Sequence, residues 1–358
     1  MDNLDSSSSF RNANWGIIGT GQISKKFATA LDKAESAVPY AVASRSRSRA
    51  ESFAKKHDIA NAYDHVDALG QDSELDIVYV GSPTRVHRHH VHTLLDHGKA
   101  VLCEKPFGRN HEEAQSMVQK ARSKSIFCME AMWMRFNPLV QQAKQALDSN
   151  QIGTVRSLHG ELGYKKDPET LGHAADGRGA LLAFGCYGIS LALFLFGEPT
   201  YIQAGWIPNQ AGGDETVALT LYYDDKIASF RFSERVTLSN DVQIKGTEGA
   251  IHLGSPFIDA RELQVINLKA LENRSLYERV RDKARNTVSS LFGQTRAGSV
   301  HTLETPNTGF QYEIEEATRC VQSGKTESNI MPLEDTLTAH RILDIALASS
   351  RSSQRIER

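Results

Sequence analysis

A short apolar run, Trp15 to Ile18, ends at Gly19-Thr20-Gly21-Gln22-Ile23-Ser24 and continues into residues with helical spacing. No other feature of the chain limits its fold so tightly. A strand that turns through two glycines into a helix opens a βαβ unit. Its turn presents backbone N–H groups at the helix N-terminus, where they can hold a pyrophosphate. Gly19 allows the tight turn, Gly21 allows phosphates to approach the backbone, and Ser24 stands where a third glycine is usual, small enough to keep helix and strand close. Gly19, Thr20, Gly21, Gln22 and Ile23 are therefore candidate contacts to a dinucleotide.

The rest of the N-terminal part has the rhythm such a unit requires. Apolar runs at Trp15 to Ile18, Tyr40 to Ala43, Ile77 to Val80, Ala100 to Cys103 and Ile126 to Met129 alternate with amphipathic helical stretches, the pattern of a doubly wound parallel sheet. Ser48 with Glu51 and Asn110 with Glu113 have the spacing of helix caps. Beyond Pro138 the period changes to two. Val217, Leu219 and Leu221 alternate with Ala218, Thr220 and Tyr222, Asp224-Asp225-Lys226 turns the chain, and a second run passes through Phe230 and Phe232. Runs at 242–245, 250–253 and 263–268 extend this to a largely antiparallel sheet, and the chain closes on helical stripes around Phe310 to Val321 and Ala339 to Leu347. The expected architecture is an α/β Rossmann domain over 14–133 and an α+β domain with an open-faced sheet over 134–358, whose last helices pack back on the first domain. Residues 1–13, with the serine run Ser6 to Ser9, read as a disordered tail.

Composition narrows the class. At 358 residues the chain has room for two cores, and a net charge of -2 with 23% charged residues gives no reason to expect nucleic acid as a partner. Cys103, Cys128, Cys186 and Cys320 show no paired spacing, so neither a zinc site nor a disulfide framework is expected, and a reducing cytoplasm fits. The charge-free stretch from Gly179 to Gly197 reads as a buried helix rather than a membrane span, because Gly185, Cys186, Gly188 and Ser190 interrupt it and no basic cluster flanks it.

Two segments carry further chemistry. After the second strand, where an NAD enzyme has an acid for the ribose hydroxyls, stand Ser44 and Arg45. A hydroxyl and a guanidinium suit a 2'-phosphate, so NADP is the expected cofactor, with NAD as the alternative. His87, His89, His90 and His92 crowd one stretch, but on a helix they divide between two faces with no carboxylate at ligand spacing, and no metal is expected there. His159 and Glu161 read as the polar face of the second sheet.

Cys103-Glu104-Lys105-Pro106 closes the Ala100 strand at the edge of the sheet where ligands bind. With the glycine loop, with Glu130 to Phe136, with Gly309-Phe310-Gln311-Tyr312-Glu313-Ile314-Glu315 and with Met331-Pro332-Leu333, it resembles the Gfo/Idh/MocA family of oxidoreductases, from Asn14 onward. Within that family the motifs resemble the branch of dihydrodiol and D-xylose dehydrogenases. The resemblance implies a hydride exchanged with a sugar, cyclic polyol or vicinal diol, and a homodimer formed through the second sheet. It places Lys105 beside the nicotinamide and the reacting oxygen, with Glu104 and Pro106 fixing its loop, and Ser82 and His87 near the cofactor. Trp133 and Arg135 correspond to cofactor- or substrate-lining positions, Trp133 serving equally well as packing between domains. Tyr187 matches a tyrosine that donates and accepts the proton, whereas Ala183 stands where relatives carry an aspartate. That departure leaves room for a second reading, a dinucleotide-binding sensor or partner protein with little turnover. Ser275 to Phe292, with an apolar stripe opposite four basic residues, reads as an additional helix laid on the protein, with a membrane-surface or partner-binding helix as the alternative.

Overall fold

The computed structural model describes residues 11–167, 171, 179–210, 212–268, 299–303 and 309–349. The Ser275 to Phe292 helix expected from the sequence lies outside them, as does the serine run. The chain divides into two units, Met1–Trp133 with Asn307–Leu337 and Met134–Pro306 with Thr338–Arg358. Residues 307–337 thus cluster with the first unit rather than with the rest of 134–358.

In the first unit, β1 (Ala13–Ile18), β2 (Ala37–Ala43), β3 (Asn61–Tyr63), β4 (Ile77–Val80), β5 (Ala100–Glu104) and β6 (Cys128–Ala131) form one parallel sheet in the order β3-β2-β1-β4-β5-β6. β4 and β5 are wholly buried, which is why they read as unbroken apolar runs: both faces are covered by helices. Those helices are α1 (Gln22–Leu31), α2 (Arg47–Lys56), α3 (Val66–Gly70), α4 (His87–Asp96) and α5 (His111–Lys124). The strand order reverses between β1 and β4, so the first turn and the turn after β4 flank a topological switch point. Asn110 caps α5 as expected, its Oδ1 accepting the Glu113 N–H at 2.9 Å while Glu113 Oε2 accepts from the Arg109 N–H at 3.0 Å. Ser48 does not cap α2, because that helix already begins at Arg47 and Ser46 occupies the cap position. The tail expectation also ran too far. Ala13 is the first residue of β1, paired with Ala37, and Arg11 holds Asp76 at 2.6 Å.

The second unit holds β7 (Val155–Gly163), β8 (Tyr201–Pro208), β9 (Asp214–Tyr222), β10 (Ile227–Ser233), β11 (Val242–Gly246), β12 (Gly249–Leu253), β13 (Glu262–Asn267) and β14 (Ser299–Thr302). Their order is β14-β13-β12-β11-β7-β10-β9-β8, with β7 and β10 parallel and every other pair antiparallel. The period of two now has its cause: Leu219 faces Phe230 and Val217 faces Phe232 across the β9–β10 register, and all four are buried. Two helices cover that face, α6 (Pro138–Asp148) against β12 and β13 and α7 (Cys186–Phe196) against β7. α7 lies close on the sheet because Gly188 has no side chain; a Cβ there would come within 2.7 Å of the Phe232 ring. Its charge-free sequence follows from burial nearly all round, and no helix among the described residues is long and apolar enough to cross a membrane. The opposite face is polar in its middle, where Glu161 meets Arg231 at 3.7 Å and His159 at 3.9 Å. Tyr201 and Ile207 are exposed at the β8 edge.

Residues 307–337 supply α8 (Phe310–Gln322), which packs on α1 and β2, and the start of α9 (Leu333–Ser349). Thr318 on α8 accepts the Trp15 indole N–H at 3.1 Å, which ties this late segment to the first strand.

Candidate functional site

The glycine turn has the shape a phosphate cradle needs. Gly19 has φ +103°, and a Cβ on it would stand 2.9 Å from the carbonyl oxygen of Gly81. Gly81, directly after β4, closes the turn from the other side, its N–H bonding Ile18 O while the Gly19 N–H bonds Ala43 O, both at 2.9 Å. Ser24 is fully buried beneath them, with Oγ 3.5 Å from Gly81 O, so a serine fills the place of the third glycine. Gly21, the N-cap of α1, is exposed, and nothing lies within 4 Å of where its Cβ would be. The first turn of α1 holds no acidic residue; beside it Gln22 is exposed and Thr20 and Ile23 are half-buried. An uncrowded helix N-terminus without a competing carboxylate fits a dinucleotide pyrophosphate. Gly81 was not singled out from the sequence, although a glycine immediately after an apolar run was there to be read.

Ser44 and Arg45 follow β2 at the same carboxyl edge. Ser44 is anchored by its N–H to Tyr63 O at 3.1 Å, and Arg45 is exposed. Among the described residues Arg45 makes no ion pair, whereas Arg47 is held to Glu51 at 2.8 Å.

The loops after β4 and β5 are joined through His87. Its Nε2 lies 2.7 Å from Ser82 O, and its Nδ1 lies 3.2 Å from the carbonyls of both Pro106 and Phe107. Burial at 1% exposure lowers its pKa, with the surrounding carbonyls acting in the opposite direction. His90 meets Ser82 Oγ at 2.9 Å and His92 meets Ser116 Oγ at 3.2 Å, so the histidine-rich stretch spreads its side chains over separate partners. Among the described residues no group of three or more His, Cys, Asp and Glu is gathered as for a metal.

Lys105, half-buried, leaves β5 through a cis peptide bond to Pro106, and its N–H is held by Glu104 Oε2 at 3.0 Å. Tyr79 on β4 donates to Glu104 Oε1 at 2.6 Å, and Glu130 on β6 accepts the Phe107 N–H at 3.1 Å. The loop is thus fixed from three adjacent strands. Burial raises the Glu104 carboxyl above the usual carboxylate range, against the bonds from Tyr79 and the charge of Lys105. Glu313 on α8 lies wholly buried with neither carboxyl oxygen hydrogen-bonded, and burial, then the charge of Glu104, pushes it well above that range. By its helical spacing alone Glu313 is one more polar residue of the Gly309–Glu315 motif, and only the packing of α8 buries it.

Trp133, 9% exposed, stacks on Phe310 with ring centroids 5.0 Å apart, inside the first unit. Arg135 belongs to the second unit and is wholly buried; its Nε donates to Ser190 Oγ at 2.7 Å, its Nη2 to Ser190 O at 2.8 Å, and its guanidinium lies over Phe194. Tyr187 is 6% exposed in the first turn of α7, and Ala183 lies in a π turn, Leu181–Gly185, that precedes it.

These features define an NAD(P)-binding oxidoreductase, and comparison with known proteins identifies the family. Residues 13–132 match a family model described as "Oxidoreductase family, NAD-binding Rossmann fold", and residues 140–252 match the "GFO/IDH/MocA C-terminal domain". The chain belongs to the Gfo/Idh/MocA family. It is 33% identical over 346 residues to trans-1,2-dihydrobenzene-1,2-diol dehydrogenase of Xenopus laevis, covering 93% of this chain and 96% of the relative. To the Homo sapiens enzyme of the same name it is 32% identical over 338 residues, covering 92% and 94%. Among solved structures, an NAD binding oxidoreductase from Klebsiella pneumoniae superposes with a TM-score of 0.80 at 22% identity, covering 95% of this chain and 97% of that one. Levoglucosan dehydrogenase, in complex with NADH and levoglucosan, gives 0.79 at 20% identity with the same coverage.

Proposed function

We propose that this protein is an NADP-dependent dehydrogenase or reductase acting on the CH–OH groups of a vicinal diol, sugar or cyclic polyol. The observation that carries the reading is the open glycine turn at the start of α1, on the same carboxyl edge of one sheet as Lys105. The relatives named for a dihydrodiol and for levoglucosan support the substrate class. Gly19, Thr20, Gly21, Gln22 and Ile23 would hold the pyrophosphate, Ser44 and Arg45 the 2'-phosphate, and Ser82, Trp133 and the Glu104–Lys105 loop the nicotinamide end. His87 stiffens that end by joining its two loops. When bound, the nicotinamide gives or takes the hydride. Lys105 contributes positive charge that favours an ionised oxygen at the reacting carbon, and Tyr187 carries the proton. Arg135, bonded to Ser190, keeps α7 in place beneath Tyr187.

The protein would work as a homodimer through the open sheet face, where Tyr201 and Ile207 stand exposed, and in a reducing cytoplasm, to which four free, buried cysteines are suited. Fluorescence of bound NADPH, joined to a turnover screen of trans-1,2-dihydrobenzene-1,2-diol, D-xylose and related sugars, tests the function. Tight NADPH binding with no turnover on any of them would favour a sensor, the reading that Ala183 keeps in play. A monomer by light scattering at micromolar concentration would refute the dimer.

A further inference from the structure

Asp214, the first residue of β9, is 3% exposed, and its Oδ2 accepts the N–H of Leu181 at 2.5 Å. Leu181 opens the π turn that runs without interruption into α7. A π turn holds one residue more than an α turn, so every side chain beyond it is rotated by about 100° around the axis relative to an unbroken α-helix. Tyr187 is the second residue past the insertion, and its direction depends on whether that turn forms. The carboxylate fits closely against the entry to the turn. A Cβ on Gly179 would stand 1.9 Å from Asp214 Oδ1, and Gly179 O in turn accepts the Ala183 N–H at 2.9 Å.

Among the described residues, the charges around Asp214 do not neutralise it. Glu234, 2% exposed, is ion-paired to Lys166 at 2.5 Å, and Glu215, next along β9, is paired to Arg235 at 3.3 Å. Among the described residues no cation pairs with Asp214 itself. Burial, reinforced by Glu234 and opposed by the Leu181 N–H, raises its carboxyl to about 6. An asparagine would present an acceptor oxygen, but a neutral one, and a hydrogen bond to a charged acceptor is roughly twice as strong, so the acid holds the Leu181 N–H more firmly than a neutral side chain would.

We infer that Asp214 is a positioning residue for the proton carrier: its carboxylate holds the π turn at Leu181 and so fixes the rotation of Tyr187 about α7. The catalytic half of this rests on the assignment of Tyr187 above, and the structural half does not.

The test uses the full chain with Asp214→Asn, Gly179→Ala and the double variant. NADPH binding is followed by fluorescence, kcat and KM are measured with trans-1,2-dihydrobenzene-1,2-diol and D-xylose, and amide hydrogen exchange is followed over residues 181–189. Asp214→Asn is expected to lower kcat at pH 7.5 by about 10- to 100-fold, the cost of a small misplacement of a catalytic group. KM and NADPH affinity should stay within about twofold. The wild-type kcat should rise with pH through about 6 while that of the variant stays flat. Exchange over 181–189 should quicken about tenfold in both single variants, and their effects should not add in the double, because both act on one contact. Unchanged exchange in both single variants overturns the inference, as does full kcat in Asp214→Asn. Loss of turnover in step with cofactor affinity and melting temperature also overturns it, since that is what a purely structural cap would give. If the wild type turns over neither compound, the proposed function fails separately, and the exchange measurement decides whether the carboxylate holds the turn.

Discussion

The same buried acid allows a stability prediction of defined sign and size. In the folded protein the Asp214 carboxyl is raised from 3.8 to about 6, chiefly by burial. A native pKa above the unfolded one means that the folded state binds the proton more tightly. The resulting stability is fully present below pH 3.8 and is lost as pH rises through about 6. The distance between the two values corresponds to about 3 kcal/mol, and at 3% exposure little solvent screening reduces it. Asp214→Asn removes that dependence and keeps an acceptor for the Leu181 N–H, while burying the extra amide N–H of asparagine without a partner costs about 1 kcal/mol at any pH. Relative to wild type, the variant should therefore be slightly less stable near pH 4 and more stable by about 2 kcal/mol at pH 8. For a unit of this size that is a rise of roughly 4 to 8 °C in melting midpoint at pH 8. Melts of both proteins from pH 4 to 8 measure it, with Trp206 fluorescence reporting on the second unit. A difference between the proteins that does not change with pH, or that favours the variant more as pH falls, would refute the reasoning.

Other expectations follow from the first unit and from the proposed chemistry. Arg45→Asp should cost about 10- to 100-fold in NADPH affinity while changing NADH affinity much less, since one charge-assisted contact to a 2'-phosphate is lost; equal affinity of the wild type for both cofactors would remove the basis for the expectation. Tyr187→Phe should leave NADPH binding nearly unchanged and lower turnover by roughly two to four orders of magnitude, and adding Lys105→Met should cost little more, because both serve one proton transfer. Full additivity in steady-state kinetics would show that the two act separately. Asn110→Ala should destabilise the first unit by about 1 kcal/mol, read as a lower urea midpoint, because it removes the acceptor at 2.9 Å from the Glu113 N–H.

Much of this architecture is written in local periodicity. The β9–β10 hairpin could be read because alternation and a polar turn are properties of about twenty consecutive residues, and the register of Leu219 against Phe230 carries it out. The glycine loop could be read because Gly19, at φ +103°, answers a backbone requirement that few other residues meet. β3, β8 and β14 were not foreseen, since each is short or sits at or near a sheet edge, where one-sided burial imposes little pattern. The Ser48–Glu51 spacing points to a cap two residues later than the one observed at Ser46, because helix ends are set to within a residue or two only by the surrounding packing.

What the sequence by itself determined is therefore most of the elements, their class and the chemistry of the candidate groups. Which groups are buried, and against what, was decided by chain segments far apart. Glu313 carries the spacing of an ordinary helical acid and becomes fully buried only because α8 packs on α1 and β2. Asp214 reaches Leu181 across 33 residues, and Arg135 reaches Ser190 across 55. The free energy of an ionisable group depends on the dielectric and the partners around it, and those are properties of the packed fold rather than of neighbouring letters in the chain.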